Sequence, residues 1–128
     1  NSLLPERKKI FKFYNKFFSD FKWATTPMSK NEESESSYHL YMLRINEISE
    51  SQRDKMIQKL YENGVGTNVH YIPMPLLTLF KNIGYDIKKY PTTYKLYSNE
   101  ISLPVYNGLS DVQLQKICDA VVQSYNNI

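Results

Sequence analysis

His70 is the residue best suited to chemistry at a ligand. It stands in GVGTNVHYIPMP, Gly64 to Pro75, with Asn68 two positions before it and Tyr71 beside it. An imidazole donates or accepts a hydrogen bond near neutral pH, an amide does both, and a phenol does so at the end of a rigid ring. Such a set binds and orients a polar group. Thr67, Val69 and Tyr71 alternate with Asn68, His70 and Ile72, which predicts a short strand with Asn68 and His70 on one face. Pro73 and Pro75 lack backbone donors, so pairing ends near Ile72, and that strand end could line a cleft. The same spacing also suits two polar residues that face solvent or satisfy each other, and chemistry does not follow from it unaided.

The elements that must position this stretch are legible around it. Gly64 can take the left-handed conformation that ends a helix, and Val65 can fold back onto the last apolar turn. That helix is expected to start at Ser51 with Asp54 in its first turn, with Met56, Ile57, Leu60 and Tyr61 recurring at helical spacing up to Gly64. Tyr38 to Ile45 reads as a strand apolar on both faces, with His39 expected as a core histidine with a local partner. Phe21 to Thr26, closed by Pro27, reads as an edge strand, and a helix crossover gives Tyr38–Ile45 and Thr67–Ile72 the same direction. Phe21–Thr26 can then sit between those two. The expected fold is α+β, a two-layer sandwich with a small, mainly antiparallel sheet of about three strands and helices packed on it.

The remaining segments complete that layout. Pro5 to Asp20 is an amphipathic helix with Ile10, Phe13, Tyr14, Phe17 and Phe21 on its stripe. Met28 to Ser37, with its KNEESESS core, has too little apolar content to order itself and is expected to be mobile. Leu76 to Ile83 is a short helix ended by Gly84, GYDIKK is a turn, and Pro91 starts a helix through Tyr94 and Tyr97. Ile101 to Val105 is extended. Ser110 with Gln113 forms a capping box before Leu114, Ile117, Cys118, Val121 and Val122, which makes Cys118 a small buried side chain. Tyrosines 85, 90, 94 and 97 are expected to be structural.

Composition narrows the classes. The chain has 128 residues, 41% of them hydrophobic and 23% charged, which suits a single domain over 1–128. A net charge of +3, with lysines matched by acidic residues along most of the chain, argues against a dedicated nucleic-acid binder. The basic first helix and the tyrosines keep one alternative open, a stand-alone α/β binding or interaction module, for nucleic acid for instance. One cysteine excludes an internal disulfide, and no run suits a membrane span or a signal peptide, so a cytoplasmic setting is expected. No glycine-rich phosphate loop, zinc spacing or nucleophile elbow is present, and no metal site is expected.

Read together, GVGTNVHYIP, SSYHLYMLRI (Ser36 to Ile45), KYPTTYKLYSNEISLPVYNGLS (Lys89 to Ser110) and the final helix resemble the C-terminal part of the DegT class of nucleotide-sugar aminotransferases, which are fold-type I pyridoxal-phosphate enzymes. The resemblance covers nearly the whole chain. One departure is that several members carry a second histidine where Pro75 stands here, so no role of that histidine transfers. The resemblance implies that this is the small domain of a longer chain and that Asn1 is not a natural start. The Schiff-base lysine and the pyridoxal phosphate would then belong to an absent large domain. This piece alone is expected to be inactive, with no catalytic or cofactor-binding residue of its own. The polar side of GTNVHYIP would face the sugar substrate, with His70 leading and Asn68 and Tyr71 behind it. The same resemblance implies a homodimer, an amino-acid donor, and a role in surface or cell-envelope polysaccharide biosynthesis, without nucleic-acid or membrane partners.

Overall fold

The computed structural model describes residues 3–128. Helix α1 (Leu3–Phe18) is followed by strands β1 (Ala24–Thr25) and β2 (Tyr41–Ile45) and by helix α2 (Glu50–Glu62). A connector with short helical turns and α3 (Thr78–Asn82) leads to α4 (Pro91–Ser98), β3 (Glu100–Leu103) and α5 (Asp111–Tyr125). The sheet has three strands in the order β1-β2-β3, antiparallel at both junctions, so the fold is α+β as the pattern predicts. Its core lies between one sheet face and α1, α2 and α5. Tyr41, Leu43 and Ile45 of β2 and Ile101 and Leu103 of β3 meet Phe11 and Tyr14, Met56 and Leu60, and Leu114 and Val121.

Two expectations about the sheet are corrected. Thr67–Ile72 is not a strand: it makes one antiparallel bridge, Asn68 to Ser102, on the outer side of β3. The ladder stops because the next backbone donors go to side chains, Val69 N–H to Asn68 Oδ1 at 2.8 Å and His70 N–H to the Glu100 carboxylate at 3.0 Å. The third strand is therefore Glu100–Leu103, and β2 is central with β1 at the edge, where β1 had been expected between its neighbours. The direction given to Thr67–Ile72 holds: it opposes β3, which opposes β2.

Phase errors of one or two residues appear in the helices. Phe11 and Phe18 are buried in α1, while Phe13 and Phe17 lie partly buried at its margin. Tyr14 and Phe11 define the stripe because each ring packs on Tyr41 of β2, at 4.8 and 4.9 Å, while Phe18 packs on Tyr14 and Trp23. Helix α2 starts at Ser49, not Ser51, in a reciprocal capping box with Gln52. Helix α5 has the predicted Ser110–Gln113 box, and Cys118 lies fully buried with its thiol pushed up to about 12, chiefly by burial. In β2 only Tyr41, Leu43 and Ile45 are buried, while Met42 and Arg44 are half-buried, so the second face is partly open. His39 is exposed and not a core residue, because Tyr38, at φ 53, turns the chain just ahead of the strand.

The 28–37 segment is shaped by polar contacts, not by apolar burial. Asn31 Oδ1 accepts the Glu33 and Ser34 amides, and Lys30 bridges Glu35. Glu35 also takes the Lys8 amine and the Tyr38 hydroxyl, and these two donors hold its carboxyl down to about 2. This order leaves no trace in a count of apolar residues, because side-chain hydrogen bonds and ion pairs supply it.

Gly64 ends α2 as predicted. Its φ is +73°, and Gly64 N–H reaches Tyr61 O at 2.9 Å while Val65 N–H reaches Leu60 O at 2.8 Å, the two bonds of a Schellman stop. An added Cβ would meet only Lys116 Nζ at 3.8 Å, so the cost of Gly64→Ala is backbone strain alone. We expect a loss of about 1 kcal/mol in urea unfolding. A loss within error of zero would show that this turn relaxes.

Candidate functional site

Strand β3 sends Ile101 and Leu103 into the core and Glu100 and Ser102 to the opposite face, the period-2 consequence of NEISLP. Register pairs Arg44 with Glu100 and Met42 with Ser102, so these four side chains share one patch on the face that the large helices leave open. Segment 67–73 and helix α4 wall the patch. Between them is a cleft of about 310 Å³ lined by Met42, Arg44, His70, Tyr71, Pro73, Thr93, Leu96, Tyr97 and Glu100.

His70 is tied to the floor of this cleft twice. Its Nδ1 lies 2.8 Å from Ser102 Oγ, and its backbone N–H donates to Glu100 Oε2 at 3.0 Å. Ser102 Oγ in turn donates to Glu100 Oε1 at 2.5 Å. Glu100 and Ser102 are 4% and 5% exposed, so this polar set is desolvated yet hydrogen-bonded. The ring itself is half-buried, and Tyr71 packs edge-on against it at 4.8 Å while remaining 74% exposed.

Arg53 supports the cleft from beneath. It is 1% exposed, and its guanidinium donates to Tyr97 O at 2.7 Å and to Glu100 O at 3.2 Å. It also lies 4.8 Å from the centre of the Tyr97 ring and pairs with Asp54 at 2.7 Å. Glu50 accepts the hydroxyls of Tyr94 and Tyr97, which fixes α4 over the sheet. These phenols staple helices together, as expected of structural tyrosines.

The structure brings His70 and Tyr71 together on the cleft. Asn68 is placed apart from them: its backbone makes the bridge to Ser102, and its side-chain oxygen accepts its neighbour's amide. Arg44, Glu100 and Ser102 were missed by the sequence argument. The signal for the last two was present, since a charged and a hydroxylated residue two apart in a short extended run share one face. Arg44 enters none of the ion pairs among the described residues, so its guanidinium is available to an anionic group in the cleft.

These residues offer no lysine in a desolvated site. Every lysine in the chain is exposed or only half-buried, whereas a Schiff-base lysine needs a desolvated pocket to lower its pKa. Among the described residues no His, Cys, Asp and Glu group could hold a metal ion, and no helix is long and apolar enough to cross a membrane.

Comparison with known proteins gives this geometry a family. The chain is 30% identical over 124 residues to the spore coat polysaccharide biosynthesis protein SpsC of Bacillus subtilis, covering 94% of this chain and 32% of that protein. It is 23% identical over 125 residues to a UDP-4-amino-4,6-dideoxy-N-acetyl-beta-L-altrosamine transaminase of Helicobacter pylori, covering 98% of this chain and 33% of the other. Among solved structures, Spr1654 of Streptococcus pneumoniae, assigned as a sugar aminotransferase and solved in PMP and PLP forms, superposes with a TM-score of 0.94 at 38% identity. That match covers 98% of this chain and 32% of the PMP-form chain, so this chain spans about a third of the length of such relatives. The model of the DegT/DnrJ/EryC1/StrS aminotransferase family matches residues 1–122, and the chain belongs to that family.

Proposed function

We propose that this chain works as the small domain of a longer pyridoxal-phosphate-dependent aminotransferase acting on a nucleotide-linked keto sugar. His70 and Tyr71 face the substrate, with Asn68 behind them as the anchor of their segment. The observation that carries this reading is the cleft on the open sheet face, where a half-buried histidine and an unpaired arginine converge. An imidazole and a phenol suit sugar hydroxyls, and a guanidinium suits the phosphates of a nucleotide carrier. The names of relatives that act on UDP- and GDP-linked sugars, and that build spore coat polysaccharide, support the same substrate class and a role in surface polysaccharide synthesis.

Under this reading the residues of the chain bind and orient, and the cofactor's chemistry belongs to residues outside it. The small domain closes one side of the substrate cleft of a cytoplasmic homodimer, with an amino acid as the nitrogen donor. On its own it neither binds the cofactor nor transaminates.

The test is His70→Ala in the full-length enzyme. Loss of one positioning contact should lower kcat/KM for the sugar nucleotide by about 5- to 150-fold, equivalent to about 1–3 kcal/mol. The absorbance of the cofactor–lysine imine should be unchanged. Wild-type kcat/KM for the sugar would sink the assignment.

A further inference from the structure

Resting on the substrate-facing role of His70, we infer that Glu100 and Ser102 are positioning residues that hold one tautomer of its ring and thereby choose which substrate group it reads. A serine hydroxyl carries one proton. Ser102 gives that proton to Glu100 Oε1 at 2.5 Å, because a carboxylate only accepts. Toward His70 Nδ1, 2.8 Å away, Ser102 then has only a lone pair to offer. Nδ1 therefore carries the hydrogen, and in the neutral ring Nε2 is left as an acceptor. The direction cannot reverse locally. The other carboxylate oxygen is held by the His70 backbone N–H at 3.0 Å, a donor with no second role.

The arrangement is built rather than incidental. Both members are at least nine-tenths buried, and the same histidine is gripped at its backbone and at its ring. Arg44 stands directly across the β2–β3 ladder from Glu100, and Arg53 donates to the Glu100 backbone carbonyl from below, which fixes the strand that carries the carboxylate. An acceptor Nε2 facing the cleft takes a hydrogen bond from a hydroxyl or an amine. It does not take one from a phosphate oxygen, which has no proton to give. The structure thus assigns His70 to a hydroxyl of the sugar and leaves the anionic part of the substrate to Arg44.

The relay can be turned around by one isosteric change. In Glu100→Gln the amide oxygen must face the His70 backbone N–H, which can only donate. The amide NH2 then faces Ser102, whose proton is released from the carboxylate and free to turn to Nδ1, leaving Nε2 protonated. Long-range 1H–15N spectra of this chain, uniformly 15N-labelled at pH 8 where imidazole is neutral, report the tautomer directly. The expected result is Nδ1–H in the native chain and Nε2–H in Glu100→Gln. A native spectrum showing Nε2–H overturns the inference even if the variant does not fold, and so does a folded variant with an unchanged tautomer. In the full-length enzyme the same variant should lower kcat/KM for the sugar nucleotide about tenfold, because a donor would replace an acceptor at the hydroxyl. Spectra as expected with unaltered kinetics in both Glu100→Gln and His70→Ala would leave the relay standing and remove the substrate contact. The reverse pattern, altered kinetics with the wrong tautomer, would remove the relay alone.

Discussion

Replacing Phe11 with alanine will lower the unfolding free energy by about 3–5 kcal/mol, the usual cost of emptying a buried aromatic site. Phe11 is 2% exposed and packs edge-on against both Tyr38, at 5.1 Å, and Tyr41, at 4.9 Å. Truncation therefore removes the apolar burial and two ring–ring contacts, each worth about 0.5–1.5 kcal/mol beyond area. Because a domain of this size is stable by about 5–15 kcal/mol, the variant should sit near the edge of folding. Urea unfolding followed by circular dichroism, with an unchanged slope, measures it. The control is Phe13→Ala on the same helix, which is only partly buried and should lose clearly less. Equal losses at the two positions would refute the assignment of the buried face of α1.

Arg53→Ala is expected to cost about 3 kcal/mol and to lower the melting temperature by about 10 °C. The guanidinium satisfies two carbonyls, at Tyr97 and Glu100, from a fully buried position, and it covers one face of the Tyr97 ring. Removing it takes from the Glu100 carbonyl its guanidinium donor and leaves the Tyr97 carbonyl with the Asn99 amide alone. Its ion pair with Asp54 contributes little to this figure, because the aspartate side chain is 62% exposed. Lysine should restore less than half of the loss: although a single nitrogen, Nη1, reaches both carbonyls, an ammonium on a flexible stem cannot also hold Asp54 through Nε and lay a planar group over the Tyr97 ring. Differential scanning calorimetry of Arg53→Ala and Arg53→Lys decides it, and a fully restored lysine variant would show that charge, not geometry, matters.

Much of the fold was legible because local chemistry and tertiary demand agree at most positions. Gly64, the Ser110–Gln113 box and the Leu114–Val121 stripe each have a local cause that the structure repeats. The errors arose where a tertiary partner decided. Thr67–Ile72 alternates like a strand, yet its amides are taken by Asn68 Oδ1 and Glu100, and no periodicity records a side chain thirty residues away. The order of strands was misjudged for the same reason, since the pairing of β2 with β3 is a long-range fact. His70 and Tyr71 were singled out by residue type together with the family resemblance, and both line the cleft. Glu100 and Ser102 were passed over although their two-residue spacing puts them on one face, because a buried carboxylate in a short strand looks like any surface glutamate until its partners are known.

The attachment of segment 67–72 has a consequence for motion. Asn68 and Ser102 exchange two backbone hydrogen bonds, at 2.8 and 3.3 Å, and among the described residues the further hydrogen bonds from the segment to the sheet are those of His70. At about 0.5–1.5 kcal/mol net for each bond, lifting the strip away takes a small fraction of what disrupting the β2–β3 ladder would take. The histidine thus rides on a latch and not on a wall: the amides of the strip should exchange with solvent sooner than those of the β2–β3 ladder beneath it.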